Sequence, residues 1–207
     1  MREELLPLFP LAVVLLPGNK LPLHIFEDRY KDMIGQAIEN QTEFGVVLAA
    51  QGGIASAGCT ATVDEVVKRY EDGRFDMLAL GRRRFHLKAL DQEIAHLRGE
   101  VEFFGDEPGA APEHLRARAL EACSNIESDE QQPFEDDDPQ LSFRLAQRFN
   151  DLMFRQQLLM TTTEERRLES IIEYAPAYAE RLRNAAHMRQ LAGKNGHSHK
   201  PPKFEDQ

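Results

Sequence analysis

The sequence predicts an α+β protein, with strands around one helix in its first half and only helices in its second half. Apolar runs that alternate like strands and end at turn residues fill residues 1–105. Beyond the Gly-, Pro- and acid-rich stretch 106–112, apolar residues recur instead at helical spacing. We therefore expect a β subdomain over 1–105, a linker over 106–112, a helical bundle over 113–193 and a disordered polar tail over 194–207.

The chain opens with an apolar stretch, residues 5–30, that four prolines interrupt. Each proline inside a helix would cost about 3 kcal/mol, because it removes a backbone donor and clashes with the preceding turn. The stretch therefore predicts short extended pieces rather than one helix. Within it, Leu21, Leu23 and Ile25 occupy alternate positions, which is typical of a strand.

One helix is expected among the strands, over residues 28–40. Its apolar residues recur at helical spacing and share one buried face: Tyr30, Met33, Ile34, Ala37 and Ile38. At its start, Glu27 and Arg29 are candidates for an ion pair that fixes the entry into the helix. Residues 44–50 then form a compact apolar run suited to a buried strand.

A β-hairpin is predicted around Asp72-Gly73. Extended sequences flank this pair on both sides, over 58–70 and 74–81. Asp-Gly is favoured in type I′ turns, because both central residues of such a turn need positive φ. Two further extended runs complete the β half, over 82–90 and 96–104.

The helical half begins with a helix whose inward residues follow helical spacing: Leu115, Ala119, Ala122 and Ile126. A long second helix over 141–159 is expected to start at Asp138-Pro139, a favourable N-cap and first-turn pair.

The end of the chain predicts two more helices. The third is expected to begin at Thr162, which has capping-box spacing to Glu165, and Pro176 is expected to end or kink it. Gly193 is a plausible stop for the fourth. The inward residues of the fourth helix are Tyr178, Leu182 and Ala185.

Composition narrows the classes of function. The chain has 207 residues and a formal net charge of -10, which repels polyanions and makes nucleic acid an unfavoured partner. Its two cysteines are far apart, so no disulfide framework is implied and a reducing compartment fits. Neither a signal-peptide pattern nor an unbroken apolar window of membrane-spanning length occurs, so we expect a cytoplasmic protein with no membrane partner.

No group of residues forms a recognisable reactive site. His197 and His199, the closest histidine pair, lack an acidic or cysteine partner, so no metal is expected. Cys59 and Cys123 fit small core residues better than nucleophiles. Gly193 is followed by Lys194, but the rest of a phosphate loop is missing. We assign no catalytic residue and no cofactor, and we expect that the protein is not an enzyme.

The run Arg82-Arg83-Arg84 leaves two interpretations open. On a regular strand Arg82 and Arg84 face one way and Arg83 the other, so the three cannot form one continuous patch. One interpretation is a solvated strand edge with one arginine paired to a carboxylate. The other is a contact for an anion or for RNA.

Three blocks of sequence, in order, resemble the N-terminal, substrate-binding domain of Lon protease. They are LPLFPLAVVLLPGNKLPLHIFEDRYKDMI, GCTATVDEVVKRYEDGRFDMLALGRRRFHL and RQQLLMTTTEERRLESIIE. The resemblance covers residues 5–190, nearly the whole chain. It implies a PUA-like, mostly antiparallel β-barrel with an inserted helix, followed by a helical bundle.

The resemblance implies recognition rather than proteolysis. Lon protease carries ATPase and peptidase domains after this region, whereas this chain shows neither, so it resembles a stand-alone member of the family. We expect a non-catalytic module that recognises unfolded or partly folded protein segments, or a partner machine, in protein quality control. RNA binding is the alternative, since PUA-like barrels elsewhere bind RNA.

The candidate contact residues lie in and after the Pro-Gly turn: Leu16, Pro17, Leu21 and Leu23. The competing interpretation is that all four belong to the core. A single domain has little binding energy left after the cost of association, so weak self-association is also expected.

Overall fold

The structure is a computed structural model that describes residues 5–50, 52–126 and 138–195. Its strands are β1 (Leu6–Leu11), β2 (Lys20–Ile25), β3 (Phe44–Ala50), β4 (Gly53–Arg69), β5 (Phe75–Asp91) and β6 (Leu97–Phe104). Its helices are α1 (Asp28–Asn40), α2 (Glu113–Cys123), α3 (Leu141–Leu145), α4 (Leu152–Met160) and α5 (Glu164–Asn195). The α+β class and the order of strands before helices are confirmed.

The strands form one mixed sheet in the order β2-β5-β4-β3-β1-β6. The pairing of β1 with β3 is parallel, and the other pairings are antiparallel. Strand β6 also pairs with β5, so the pairings of β1, β3, β4, β5 and β6 form a closed cycle. Strand β2 lies outside this cycle, on the N-terminal part of β5.

The predicted hairpin is present, but its turn is of another type. Strands β4 and β5 are antiparallel neighbours, with Arg69 opposite Phe75. Gly73 has a φ of 83°, whereas Asp72 has no positive φ. Gly73 N donates to Tyr70 O at 3.1 Å, and Tyr70 N donates to Arg74 O at 2.8 Å. This is a type I turn followed by a left-handed glycine, so the predicted type I′ turn is wrong.

Helix α1 confirms the predicted helix over 28–40. Tyr30, Met33 and Ile34 are buried on its inner face, as the spacing requires. At its entry, Arg29 Nη2 lies 2.7 Å from Glu27 Oε2, which is the ion pair expected there.

The buried side chains form a large cluster and a small one. The large cluster contains residues from strands, from α1 and from the helical half, including Ile34, Phe44, Phe143 and Leu158. The small cluster lies within the strand cycle and is built on Leu8, Val47 and Phe85. The division of the chain into two subdomains stays a prediction.

The long helix predicted over 141–159 is interrupted. Helix α3 ends at Leu145, one turn of 3-10 helix follows, and α4 starts at Leu152. Asp151 caps α4, because its carboxylate accepts a hydrogen bond from Phe154 N at 3.0 Å. Asn150 N donates instead to the hydroxyl of Tyr178 at 2.8 Å. These local hydrogen bonds compete with a continuous helix and break it.

The two predicted start signals are each displaced along the chain. Asp138 accepts a hydrogen bond from Gln140 N at 2.8 Å and so caps the turn before α3 rather than the helix itself. The hydroxyl of Thr163, not of Thr162, accepts from Arg166 N at 3.3 Å in the first turn of α5.

Helix α5 replaces the two helices predicted at the end of the chain. It runs for 32 residues with Pro176 inside it and continues past Gly193 to Asn195. Pro176 is exposed, so the carbonyl group that it deprives of a partner can face water. The predicted disordered tail lies mostly outside the described residues. No described helix combines the length and the hydropathy that crossing a membrane requires.

Candidate functional site

The four predicted contact residues lie at or beneath the surface of the sheet. Leu16 and Pro17 are buried, whereas Leu21 and Leu23 are half-buried and pack against the large core cluster. The segment before β2 is fixed on β5 by two hydrogen bonds, from Gly18 N to Gly81 O and from Gly81 N to Asn19 O, each 2.9 Å. In this structure Leu16 and Pro17 therefore offer no free apolar surface, and their role in binding stays a prediction.

The three arginines do not alternate as a regular strand would place them. Cys59 pairs with Arg84 but Ala61 pairs with Gly81, so an irregularity in register lies between them. As a result Arg82 and Arg83 are both exposed, and Arg84 is buried. The expected alternation is wrong because the register shift changes the direction of the side chains.

The exposed and buried arginines have different partners. Arg83 donates to Glu43 at 3.0 Å, and its guanidinium lies 4.0 Å from the ring centre of Phe103. Arg84 donates to the carbonyl oxygens of Leu159 and Thr161, at 3.0 and 2.7 Å, and it also contacts Asp106. Arg84 therefore fastens β5 to the end of α4.

A polar network joins the strands to the helices, and Arg167 is at its centre. Arg167 is fully buried and donates to both oxygens of Asp106, at 2.6 and 2.5 Å, and to Glu164 at 2.7 Å. It also donates to the hydroxyl of Ser142 at 2.7 Å. We call Arg84, Asp106, Ser142, Glu164 and Arg167 the joint network.

The charges of the joint network balance. Its two arginines face two carboxylates. Burial alone would raise the pKa of Asp106, but hydrogen bonds and charges from Arg167 and Arg84 outweigh burial and hold this pKa below its usual value. Every group of the network has a hydrogen-bond partner, so the network serves to hold the strands and the helices together.

The cysteines are core residues. Cys59 and Cys123 are buried and free. Burial raises the pKa of the Cys59 thiol to about 12 and that of Cys123 to about 11. Neither is a thiolate near neutral pH. Within the described ranges, no group of three or more metal-ligating side chains is brought together; His197 and His199 lie outside those ranges.

A concave surface lies between α4 and α5, and we call it the helical cleft. It has a volume of about 850 Å³. Met153, Gln157 and Met160 lie on the α4 side, at helical spacing, and Ser170 and Ala177 lie on the α5 side. Met153 is 74% exposed and Met160 is 43% exposed, although both are large apolar side chains.

Aromatic rings form the floor of the helical cleft. Phe154 stacks on Tyr174 with ring centres 4.0 Å apart, and Phe149 and Tyr178 pack behind them. The hydroxyl of Tyr174 donates to Asp151 and accepts from Arg181. These contacts fix the shape of the floor, so the cleft is preformed rather than created by an occupant.

One edge of the helical cleft is acidic. Glu173 lines the cleft and also an adjoining depression that Glu169 and Arg166 line. Glu169 and Glu173 are exposed and lie four residues apart on α5. The cleft and this edge were not predicted from the sequence. The signal was present in the spacing of Met153 and Met160, which places two methionines on the outer face of α4.

A second, more polar cleft lies between β1, α1 and the end of β6. Its volume is about 580 Å³, and the paired Arg83 and Glu43 lie on its wall beside Phe103. Here Arg83 and Glu43 pair with each other, whereas Glu173 of the helical cleft forms no ion pair with another described residue.

The protein is therefore an α+β domain with a preformed apolar cleft between two of its helices, α4 and α5. The family described as the ATP-dependent protease La (LON) substrate-binding domain matches residues 5–176. The chain belongs to this family, as the sequence resemblance predicted.

Two solved structures are similar in fold. A Lon N-terminal domain protein from Xanthomonas campestris shares 29% identity at a TM-score of 0.64, covering 83% of this chain and 98% of that one. The N-terminal domain of Mycobacterium avium complex Lon protease shares 18% identity at a TM-score of 0.58, covering 84% of this chain and 98% of that one.

Proposed function

We propose that this protein is a non-catalytic recognition module that binds apolar segments of other proteins in the helical cleft. The observation that carries the proposal is membership of a substrate-binding family over residues 5–176. The geometry supports it, because the cleft combines exposed methionines with a rigid aromatic floor. Methionine is flexible and polarisable, so it adapts to apolar partners of different shape.

The expected affinity of one cleft is modest. Burying an apolar side chain gains about 1.5–3 kcal/mol, whereas association costs about 4–15 kcal/mol. A cleft with two exposed methionines therefore holds an unfolded segment weakly. Weak self-association, or action beside a partner machine in cytoplasmic protein quality control, would raise the apparent affinity through multivalency.

RNA binding remains the alternative function, but few groups favour it. Of the three arginines that suggested it, Arg84 is buried and Arg83 is paired with Glu43, which leaves Arg82 as the exposed arginine without a partner among the described residues. The net charge of -10 also opposes a polyanion.

Peptide binding with matched variants tests the proposed function. The probe is a fluorescein-labelled peptide with a Leu-Phe-Leu centre and serine flanks, titrated with protein and followed by fluorescence anisotropy. The double variant Met153→Glu/Met160→Glu should lower the affinity about tenfold or more, because charge replaces apolar contact. Met188→Glu is the matched control, since Met188 is 65% exposed on α5 but does not line the cleft.

Two results would count against the proposal. If the cleft variant and the control variant lose affinity for the peptide equally, the peptide does not bind in the helical cleft. A labelled oligouridine that binds more tightly than the peptide, with an affinity that falls steeply as salt rises, would favour the RNA alternative.

A further inference from the structure

We propose that the helical cleft selects segments in which an apolar side chain is flanked by lysine or arginine. The inference rests on the proposed function and names the class of segment that the cleft accepts. It follows from the charges at the edge of the cleft and from the exposed apolar side chains that line it.

The acidic edge has no cationic partner among the residues that the structure describes. Glu169 and Glu173 form no ion pair or side-chain hydrogen bond with another described residue. The carboxylates of the joint network, by contrast, are each bound by arginine. Two like charges four residues apart on one helix repel each other. A cation bound between them would relieve that repulsion, so the edge is complementary to a basic side chain.

The other charged groups around the cleft do not reverse this balance. Asp151 lies on its wall, and its carboxylate accepts from Tyr174 and from Phe154 N. Arg166 is the one basic residue that lines the cleft or the adjoining depression within the described chain. Arg181 lies beyond them, bound to Tyr174. Acidic groups therefore outnumber the basic group that lines the surface.

Gln156 lines the cleft from its buried side. It is only 8% exposed, and its Nε2 donates to the carbonyl oxygen of Ala57 at 3.0 Å, which fixes its orientation. Its Oε1 has no hydrogen-bond partner among the described residues. A buried acceptor without a donor is unfavourable. This acceptor is itself buried, so it is not open to a segment bound in the cleft and adds nothing to the charge recognition.

Lysine and arginine match this arrangement in shape as well as in charge. Their aliphatic stems can lie along the exposed methionines while the charged ends reach the acidic edge. An apolar residue beside them would occupy the surface over Phe154 and Tyr174. Glutamate or aspartate in the same flanking positions would meet Glu169 and Glu173 and be repelled.

The experiment compares three labelled peptides with the same Leu-Phe-Leu centre and with lysine, serine or glutamate flanks. Affinities are measured by fluorescence anisotropy at low and at high salt. With the wild-type chain, the lysine peptide should bind about tenfold more tightly than the serine peptide, and the glutamate peptide more weakly than either. High salt should reduce these differences.

The double variant Glu169→Gln/Glu173→Gln should remove the preference among the three peptides. Glu180→Gln is the matched control, because Glu180 is exposed on the same helix but lines neither depression. Equal binding of the three peptides to the wild type would overturn this inference and leave the proposed function standing. If the double variant still prefers the lysine peptide, groups other than Glu169 and Glu173 recognise the charge, and this inference is wrong. If none of the three peptides binds to the wild type, both this inference and the proposed function are wrong.

Discussion

The joint network and the helical cleft both include residues of α5, but their charged groups differ in whether they have partners. In the joint network, Arg167 is fully buried and each carboxylate is bound by arginine. At the cleft, Glu169 and Glu173 are exposed and have no such partner in the described part of the chain. Charges that satisfy one another hold a fold together, whereas charges without partners are available to a ligand.

The apolar groups of the two regions differ in the same way. Around the joint network the aromatic ring of Phe143 is buried, with the Arg167 guanidinium 4.2 Å from its centre. In the cleft, Met153 and Met160 remain exposed above a packed aromatic floor. We therefore expect substitutions in the joint network to change mainly stability, and substitutions in the helical cleft to change mainly peptide binding.

The largest expected effect is on the joint network. Arg167→Met should lower the free energy of unfolding by about 3–5 kcal/mol, because it leaves the buried Glu164 without its cation and removes one of the two arginines bound to Asp106. Urea unfolding followed by circular dichroism measures the change. Arg183→Met, at an exposed position of the same helix, is the control and should have little effect. If the two substitutions lower the free energy of unfolding equally, the joint network contributes no more to stability than an exposed arginine does.

The pH dependence of stability should identify Asp106 as part of the same network. Its pKa is held below the unfolded value, so its contribution is complete above about pH 4 and is lost as the pH falls through the folded pKa. The difference in stability between the wild type and Asp106→Asn should therefore be largest near neutral pH and shrink below about pH 4. A difference that does not change with pH would show that the charge of Asp106 is not involved.

The fold could be predicted from the sequence wherever local pattern and burial agree. Helix α1, strand β3 and the β4–β5 hairpin follow directly from apolar spacing and turn residues. The turn type and the helix boundaries could not be predicted, because they depend on individual hydrogen bonds. Asp151 capping α4 is one such bond, and continuation of α5 through Pro176 depends on that residue facing solvent.

The site was harder to predict than the fold. Apolar residues before β2 were expected to contact a partner, but hydrogen bonds between Gly18, Asn19 and Gly81 hold that segment on the sheet, with Leu16 buried. The register shift near Arg84 changes the direction of its side chain and brings it to the C-terminal end of α4. Both features depend on contacts between residues far apart in sequence, which periodicity does not report.

A smaller effect is expected for the exposed methionine of the cleft. Met153→Glu should change the free energy of unfolding by no more than about 0.5 kcal/mol, since Met153 is exposed in the first turn of α4. The buried neighbour Leu158 provides the contrast, and Leu158→Ala should cost about 2–5 kcal/mol. Thermal and urea unfolding of both variants measure the difference. A large loss from Met153→Glu would mean that the cleft is part of the core.

The smallest expected effect is a gain in stability when one charge is removed from the acidic edge of the helical cleft. Glu173→Gln should raise the free energy of unfolding by about 0.2–0.5 kcal/mol at low salt, because it removes repulsion from Glu169. The gain should vanish at high salt. Glu180→Gln serves as the reference substitution. A loss of stability in Glu173→Gln would indicate that its carboxylate has a favourable partner in solution.

The most direct test of the account is a map of where an apolar peptide binds. Amide resonances of the labelled protein would be followed by NMR while the peptide with the Leu-Phe-Leu centre and lysine flanks is added. We expect the shifted resonances to cluster on Met153–Met160 and Glu169–Ala177. A cluster on β2, around Leu21 and Leu23, with α4 and α5 unaffected, would contradict the central claim.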